Sequence, residues 1–509
     1  MSWDILYNAR RMTRDRWLMI VMGAVALSVF ITPSTRELFV GDETKYAQVV
    51  REMRGGAVFL PMLEGTPFTH KPPLHFWMID ALTYVFGVYS TWSFVLPSIA
   101  GFLALLWLMW RMEGPIAAFI CGTSLLVWGS AQTARMDVTF TFCIAVAAWM
   151  MQRAWSESDG TAGALQIAGI VLGVATLIKG PMAPVIAIFL FAFEWLRRRQ
   201  RPAGNYAIPI AAMAVIPLLW FVPAMLMGGG GYTQDVLVRQ TAGRAVGAWV
   251  HRSPVWFYVA HAPATLFPWF LLLIFAIVAA YKRADERAKF YVSWILAVLV
   301  PYSLISSKLD VYMMAMIPAM ALLIARLFAT SDVWLRRGHV SNVIMLGILL
   351  LVGLSAPFIH VMDPVPFVLR VVAGTAAVAL LVSLAVRTPL ASMISLGSLP
   401  IVVLLFAVVF LTPLINENAS DRPLVRAIVA QNVPADQVAL YTAPHLWTHD
   451  MPRQLERVRY VSADDLRAQP ATLIVTSRSH ADEIADVLRA YRKVAEFQLI
   501  RKPFDVYRR

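Results

Sequence analysis

The run "WLMIVMGAVALSVFITP", residues 17–33, decides the fold class, because it is almost entirely apolar and directly follows the basic segment "RRMTRDR" at residues 10–16. An apolar segment of this length suits a membrane-spanning helix. It lacks a small-residue cleavage site, so we interpret it as a retained signal anchor rather than a cleaved signal peptide. A cytoplasmic N-terminus is therefore expected.

The remainder of the chain repeats this pattern. Of the 509 residues, 59% are hydrophobic and 15% are charged, and the mean hydropathy is +0.64. This exceeds what a soluble domain needs for its core, and with the anchor it predicts a polytopic α-helical protein with about 13 transmembrane helices. The further predicted spans lie near residues 92–111, 114–131, 138–153, 163–178, 182–196, 206–226, 263–281, 289–305, 311–328, 341–360, 367–386 and 393–414.

The basic residues behind the net charge of +13 fall mostly in short segments between the apolar runs. Lysine and arginine in short loops favour the cytoplasm, so this pattern indicates membrane orientation and excludes nucleic acid as a partner. Segments such as "RRRQR" at 197–201 then lie inside, and an odd number of helices puts the C-terminus outside. The predicted location is a bacterial inner membrane, with the protein surrounded by membrane lipids.

The composition changes after residue 414. Short β-rich pieces such as "QVALYTA" and "ATLIVTS" alternate with amphipathic helical pieces, which predicts a small α/β domain on the periplasmic side. We therefore predict a transmembrane domain over 1–414, with large periplasmic loops at 35–91 and 227–262, and a periplasmic domain over 415–509. In the first loop, "PPLHFWMIDALTYVFGVY" is short for a span and predicts helices lying on the membrane surface.

That first loop carries an unusual number of ionisable groups in "VGDETKYAQVVREMRGGAVFLPMLEGTPFTHKPPLHFWM", residues 40–78. Further charges are predicted at the outer ends of later helices, in "TARMDVTF", "LIKGP" and "SSKLDVY". Ionisable groups at the hydrocarbon boundary are costly and mark functional sites or pair with one another. Lysine and arginine there would neutralise the phosphate of an anionic lipid, and a neighbouring carboxylate would orient or deprotonate a nucleophile.

These segments carry a resemblance. "GDETKYAQVVREM", "GTPFTHKPPLHFWM" and "FGVYSTWSFVLPSIAG", followed in order by "ARMDVTFTF", "GVATLIKGP", "HRSPVWFY" and "SKLDVYMMAMIPAMALLIA", resemble motifs of the GT-C membrane glycosyltransferases. The resembling branch contains the aminoarabinose transferases of lipid A and, more distantly, the protein O-mannosyltransferases. The resemblance covers nearly the whole chain, and its first-loop part is the most specific.

The resemblance implies roles for individual residues. Asp42 matches the catalytic carboxylate, with Asp137 the second candidate, and Lys71 matches the lysine that contacts the carrier phosphate. Further phosphate contacts are implied for Lys45, Arg135 and Lys308. The remaining implied residues line the cavity: Glu43, Tyr46, Lys179, His251 and Tyr312.

No cofactor is expected to be required, because a monophosphate leaving group can be handled by lysine and arginine alone. Some relatives have glutamate where this chain has His70, and in some of them a metal is associated with this position. His70 with His251 would form a two-imidazole zinc site only if a third ligand such as Glu64 or Asp80 approached. Since two histidines far apart in sequence are weak evidence, no metal is predicted, and His70 is expected to hydrogen-bond within its loop.

The implied reaction is an inverting-type transfer of a sugar, aminoarabinose or a related one, from undecaprenyl phosphate to lipid A or another envelope acceptor. A protein O-glycosyltransferase that uses the same carrier is the first alternative, because a single sequence does not show which acceptor the periplasmic loops select. A secondary transporter is the weaker alternative, because such proteins show paired repeats with interrupted helices, and none is visible here.

Overall fold

The computed structural model describes residues 18–39, 41–56, 58–156, 161–202, 204–243, 252–330, 332–355, 365–386, 388–499 and 502–509. The chain divides into two compact units. The first comprises Met1–Phe30, Thr69–His75 and Ser98–Ala407, and the second comprises Ile31–Phe68, Phe76–Pro97 and Val408–Arg509. The predicted boundary between residues 414 and 415 stays a prediction.

Helices dominate the structure. The bounds of the longer ones are Asp42–Arg54, Leu74–Phe86, Thr91–Glu113, Pro115–Gly122, Leu125–Ala131, Asp137–Ser156, Thr161–Lys179, Met182–Arg198, Ala207–Gln234, Phe257–Thr265, Phe270–Lys282, Glu286–Leu304, Ile317–Thr330, Asp332–Ser355, Val365–Val386, Pro389–Ala419 and Arg422–Val429. A shorter apolar helix, Leu18–Ser34, covers most of the predicted anchor.

Within the described part of the chain, three helices have the length and apolar composition needed to cross a membrane. They are Thr91–Glu113, Ala207–Arg239 and Asp310–Phe328. The chain bends by 112° between the helices Phe257–Thr265 and Phe270–Lys282, and this pair would add a fourth crossing if it forms one bent span. The count of about 13 remains a prediction from hydropathy.

No single uninterrupted helix forms over the predicted span 114–131, because two helices occupy this region, with the break at Thr123 and Ser124. The Thr123 hydroxyl donates to the Phe119 carbonyl at 2.7 Å, and the Ser124 hydroxyl donates to the Ile120 carbonyl at 2.8 Å. Such hydroxyl bonds to the preceding turn compete with the helical backbone pattern. Both halves are apolar, so hydropathy does not reveal the break.

The second unit contains a five-stranded sheet. A small hairpin, β1 (Met62–Leu63) and β2 (Thr66–Pro67), precedes its strands in the sequence. The strands of the sheet are β3 Val438–Tyr441, β4 Arg459–Tyr460, β5 Leu473–Ser477, β6 Arg492–Leu499 and β7 Lys502–Arg508. Their order is β4-β3-β5-β7-β6, in which β3 pairs in parallel with β4 and β5, whereas β7 pairs antiparallel with β5 and β6.

Alternation along these strands builds an apolar core on each face of the sheet. Val438 and Val475 belong to a cluster that includes Leu424 and Ile428 of the helix Arg422–Val429. Ala439 and Ile474 belong to the opposite cluster. Successive strand residues point to opposite faces, so one short sheet can bury both of them.

The second unit is assembled from segments that lie far apart in the sequence. The buried Glu37 carboxylate accepts from the Arg422 guanidinium at 2.8 Å, across 385 residues. Glu37 also accepts from the Ser420 hydroxyl at 2.6 Å. The Arg51 guanidinium donates to the Leu446 carbonyl at 3.0 Å. The first-loop segment and the end of the chain therefore share one packed unit.

Candidate active site

The first unit contains a cavity of about 380 Å³. Two lysines, Lys71 and Lys179, lie on its wall, and the rest of the lining is mainly aromatic and aliphatic. The full lining is Thr69, His70, Lys71, Pro72, Lys179, Pro181, Met182, Val185, Trp220, Tyr232, Val236, Pro301, Tyr302, Ile305, Ser307 and Tyr312. A site of this kind offers cations to an anionic group and apolar surface to the chain attached to it.

Lys179 ends the helix Thr161–Lys179, and Asp137 begins the helix Asp137–Ser156. The Lys179 ammonium is hydrogen-bonded to the Asp137 carboxylate, and both side chains are more than nine-tenths buried. These positions suit both charges, because a helix C-terminus favours a cation and an N-terminus favours an anion. The Arg135 guanidinium adds a second donor, with its Nε 3.2 Å from an Asp137 oxygen.

Aromatic rings fix the other side of Lys179. Its ammonium lies 4.9 Å from the centre of the Tyr312 ring and 5.3 Å from that of Phe140. The Tyr312 ring is stacked on Tyr302, with centroids 4.8 Å apart and planes at 22°. Cation–π contacts strengthen where water is excluded. The two rings therefore help the Asp137 carboxylate to fix the position of the Lys179 ammonium.

Lys71 reaches the same cavity from the segment that precedes the helix Leu74–Phe86. Two prolines follow it, and a residue before proline is restricted to extended backbone. Two residues earlier, the Thr69 hydroxyl is hydrogen-bonded to the Asp235 carboxylate. The backbone that presents Lys71 is therefore constrained on both sides.

Lys308, also predicted to bind phosphate, lies elsewhere. Its ammonium donates to the carbonyls of Ser253 at 3.0 Å and Ile305 at 2.5 Å, and the residue is almost fully buried. It lines a separate cavity of about 470 Å³ together with Arg252. Burial lowers the pKa of the Lys308 ammonium. The structure thus brings Lys71 and Lys179 together, but it does not place Lys308 on their cavity wall.

The second unit holds Asp42 and Lys45. Asp42 is the first residue of the helix Asp42–Arg54, and Gly41, with φ of 117°, occupies the N-cap position. The Asp42 carboxylate is 54% exposed and lies 3.9 Å from the Lys45 ammonium. Because Gly41 is the N-cap, the capping role does not fall to Asp42, and its carboxylate remains available for chemistry.

Glu43 and Tyr46, predicted to line the cavity, are buried in the second unit. The Glu43 carboxylate accepts from both terminal nitrogens of Arg36, at 2.7 and 3.0 Å, and from the Phe39 amide at 2.7 Å. The Tyr46 ring packs edge-on against Phe76 at 5.3 Å. Both residues therefore hold the start of their helix in place.

The residues considered for a metal are scattered among other contacts. His251 lies outside the described residues, and His70 lines the lysine cavity. The Glu64 carboxylate lies 3.0 Å from His445. Burial raises the pKa of the Asp80 carboxyl, and Arg54 opposes that rise. Over the ranges that the structure describes, no group of three or more metal-ligating side chains occurs.

The sequence did not single out the aromatic part of the cavity. Trp220, Tyr232 and Tyr302 all lie on its wall, yet each occurs within or next to an apolar run that contains other aromatic residues. The contact between Thr69 and Asp235, which are 166 residues apart, was equally invisible. Among the aromatic residues of the wall, the sequence identified Tyr312, because it lies four residues after Lys308 in the motif "SSKLDVY".

Comparisons with known proteins confirm the resemblance predicted from the motifs. Residues 70–224 match the family model described as "Dolichyl-phosphate-mannose-protein mannosyltransferase". The undecaprenyl phosphate-alpha-4-amino-4-deoxy-L-arabinose arabinosyl transferase of Serratia proteamaculans is 25% identical over 330 residues, which cover 61% of this chain and 59% of that protein. The protein of the same name from Pseudomonas aeruginosa strain UCBPP-PA14 is 28% identical over 374 residues, or 69% of this chain and 67% of that protein.

The match therefore spans about 59% of the length of the Serratia protein. Among solved structures, ArnT from Cupriavidus metallidurans bound to undecaprenyl phosphate superposes with a TM-score of 0.75 at 20% identity, covering 96% of this chain and 97% of that one. Its apo state gives a TM-score of 0.74 at 19% identity. This chain accordingly has the same mostly helical fold as that protein.

Proposed function

We propose that this chain is a membrane glycosyltransferase that moves a sugar, aminoarabinose or a related one, from undecaprenyl phosphate to lipid A or another envelope acceptor. The observation that carries the proposal is the placement of Lys71 and Lys179 on the wall of one cavity lined with aromatic side chains. The cations suit a phosphate, and the apolar lining suits the polyprenyl chain. The names of the curated relatives supply the carrier and the sugar.

In the proposed reaction, an oxygen of the acceptor attacks the anomeric carbon of the donor sugar. The bond between that carbon and the phosphate oxygen breaks, and its electron pair leaves on undecaprenyl phosphate. The lysines stabilise the charge that grows on this leaving group. If the acceptor is a phosphate, it is already ionised and Asp42 positions it. If the acceptor is a hydroxyl, Asp42 takes its proton.

Because of its buried ion pair, Asp137 has a positioning role rather than a catalytic role in the proposed reaction. Its carboxylate is engaged by both Lys179 and Arg135, so it is poorly placed to accept a further proton. We assign it the positioning of Lys179. Asp42, which is half exposed and only 3.9 Å from one lysine, remains the candidate catalytic carboxylate.

No metal is required in this proposal, because lysines face the leaving group. Transfer by the purified protein should therefore keep most of its rate after treatment with EDTA and removal of the chelator. Rates would be compared with and without added Zn²⁺ or Mg²⁺. A loss of more than about tenfold that either ion restores would contradict metal-free stabilisation of the leaving group.

We further propose about 13 transmembrane helices, a cytoplasmic N-terminus and a periplasmic C-terminal domain over 415–509 in a bacterial inner membrane. Alkaline phosphatase fused at Glu64 or after Arg509 should be active, whereas a fusion after Arg199 should be inactive. The corresponding green fluorescent protein fusions should give the opposite pattern. A fluorescent fusion at Glu64 would refute the orientation, because Asp42 and Lys71 would then face the cytoplasm.

The function itself is tested by mass spectrometry of lipid A from cells that express or lack this chain. The expected difference is one additional aminoarabinose-sized mass on lipid A, which should be reproduced by purified protein, purified donor and purified acceptor. Unchanged lipid A, together with a new glycan on a secreted protein, would instead favour transfer to protein. That second candidate is supported by the family match over residues 70–224.

A further inference from the structure

The C-terminal sheet carries a second cationic cleft, of about 580 Å³. Four arginines line it: Arg489, Arg492, Arg508 and Arg509. The other lining residues are Gln431, Ala490, Tyr491 and Val494, so no acidic side chain is among the described residues that line the cleft. All of these residues belong to the second unit, whereas the lysine cavity belongs to the first.

Two of the arginines lie directly opposite each other on neighbouring strands, since Arg492 of β6 is the register partner of Arg508 of β7. Residues opposite each other in an antiparallel pair project from the same face, and like charges in this arrangement are destabilising. One terminal nitrogen of Arg508 donates to the Gln431 carbonyl at 3.2 Å. A guanidinium has five N–H donors, so this bond leaves most of them for another acceptor.

Several other cations of this domain are paired with carboxylates. Five other basic side chains each lie within 4 Å of a carboxylate: Arg422, Arg426, Arg467, Arg478 and Lys493. Lys493 is the immediate neighbour of Arg492 and points to the opposite face of β6, where Asp505 and Glu496 pair with it. For the four cleft arginines, the described residues supply no ion pair within that distance. Four guanidinium groups without a described ion pair therefore share one concave part of the surface.

We propose that this cleft binds a phosphate monoester, and that it is an anion site distinct from the lysine cavity. Guanidinium groups match phosphate oxygens through paired, charge-assisted hydrogen bonds. An anion between Arg492 and Arg508 would remove their mutual repulsion. The volume exceeds that of a bare phosphate ion and leaves room for the group that carries it, such as a sugar headgroup. The proposal does not depend on the transfer reaction.

The test is hydrogen exchange of the full-length protein in detergent, read by mass spectrometry, with glucosamine 6-phosphate, inorganic phosphate or glucosamine added. Glucosamine 6-phosphate should slow exchange in peptides covering 489–499 and 502–509, and glucosamine should not. Tighter binding of the sugar phosphate than of inorganic phosphate would identify a phosphorylated headgroup as the source, and equal binding would identify free phosphate. The local readout separates this cleft from the lysine cavity.

The variant pair Arg492→Gln/Arg508→Gln should weaken this binding by about tenfold or more, as expected for hydrogen bonds to a charged group. Its thermal midpoint should stay equal to that of the wild type or rise, because a like-charge contact is removed. The control pair Arg457→Gln/Lys502→Gln removes the same net charge at exposed positions outside the cleft. Absence of protection by either phosphate compound, or equal weakening by the control pair, would overturn the proposal.

Discussion

Lys71→Ala should reduce the rate of sugar transfer by about a hundredfold to a thousandfold while leaving membrane insertion intact. Removing one group that stabilises developing negative charge typically has an effect of this size. Lys71 lines the cavity that also holds Lys179, and negative charge grows on the phosphate as its bond to the sugar breaks. The measurement is turnover of a purified carrier-linked sugar, with donor binding determined separately.

Two further lysine variants sharpen this test. Lys71→Arg keeps the charge and should recover part of the rate, although the planar guanidinium has a different reach. Lys308→Ala should affect transfer much less than Lys71→Ala, because Lys308 lies in a separate cavity and its ammonium is bound to two carbonyls. Near-normal turnover by Lys71→Ala, or a larger loss in Lys308→Ala at equal folding, would contradict the assignment of the phosphate site to the lysine cavity. It would favour the cavity lined by Lys308 instead.

Asp42→Asn should be well expressed and should still bind the polyprenyl donor, but it should transfer sugar at least about a hundredfold more slowly. A general base typically contributes about a hundredfold to ten-thousandfold in rate, and asparagine keeps the size of aspartate without its charge or basicity. Because Gly41 holds the N-cap position, the substitution removes no helix cap. Turnover and thermal stability would be measured on the same preparation.

Glu43→Gln is the matched control, since it changes the adjacent residue in the same way. Glu43 is paired with the buried Arg36, and removing one partner of a buried pair costs about 3–5 kcal/mol of folding stability. We expect a lower yield and a lower thermal midpoint, with near-normal activity for each folded molecule. If Asp42→Asn instead transferred at the wild-type rate, the catalytic carboxylate would have to be sought at Asp137.

Hydropathy predicted the longer helices well. The stretches 92–111, 138–153 and 163–178 correspond to the helices Thr91–Glu113, Asp137–Ser156 and Thr161–Lys179. Their apolar length is a local property, so a single sequence displays it. The break at Thr123 and Ser124 was missed because it depends on which acceptor the two hydroxyls choose, and the apolar residues on either side give no sign of that choice.

The site was predicted in part for the same reason. Charges such as Lys71, Asp137 and Lys179 stand out against an apolar background, so the sequence alone identifies each of them. Their pairing could not be predicted, since nothing local shows that Lys179 meets Asp137 across 42 residues or that Tyr312 covers its ammonium. Lys308 is a residue whose position in the fold the sequence did not show. It lies in a motif that resembles the family pattern, yet the structure gives it carbonyl partners in a separate cavity.

The bond between Glu37 and Arg422 also constrains how the protein is made. A ribosome delivers Glu37 early and Arg422 385 residues later, so the second unit cannot close until nearly the whole chain has been synthesised and inserted. Contacts of such long sequence separation form slowly, and their unpaired parts are exposed to misassembly in the meantime. Until then the buried carboxylate of Glu37 and the guanidinium of Arg51 lack their late partners, Arg422 and the Leu446 carbonyl. Premature termination anywhere before residue 422 would leave that segment permanently incomplete.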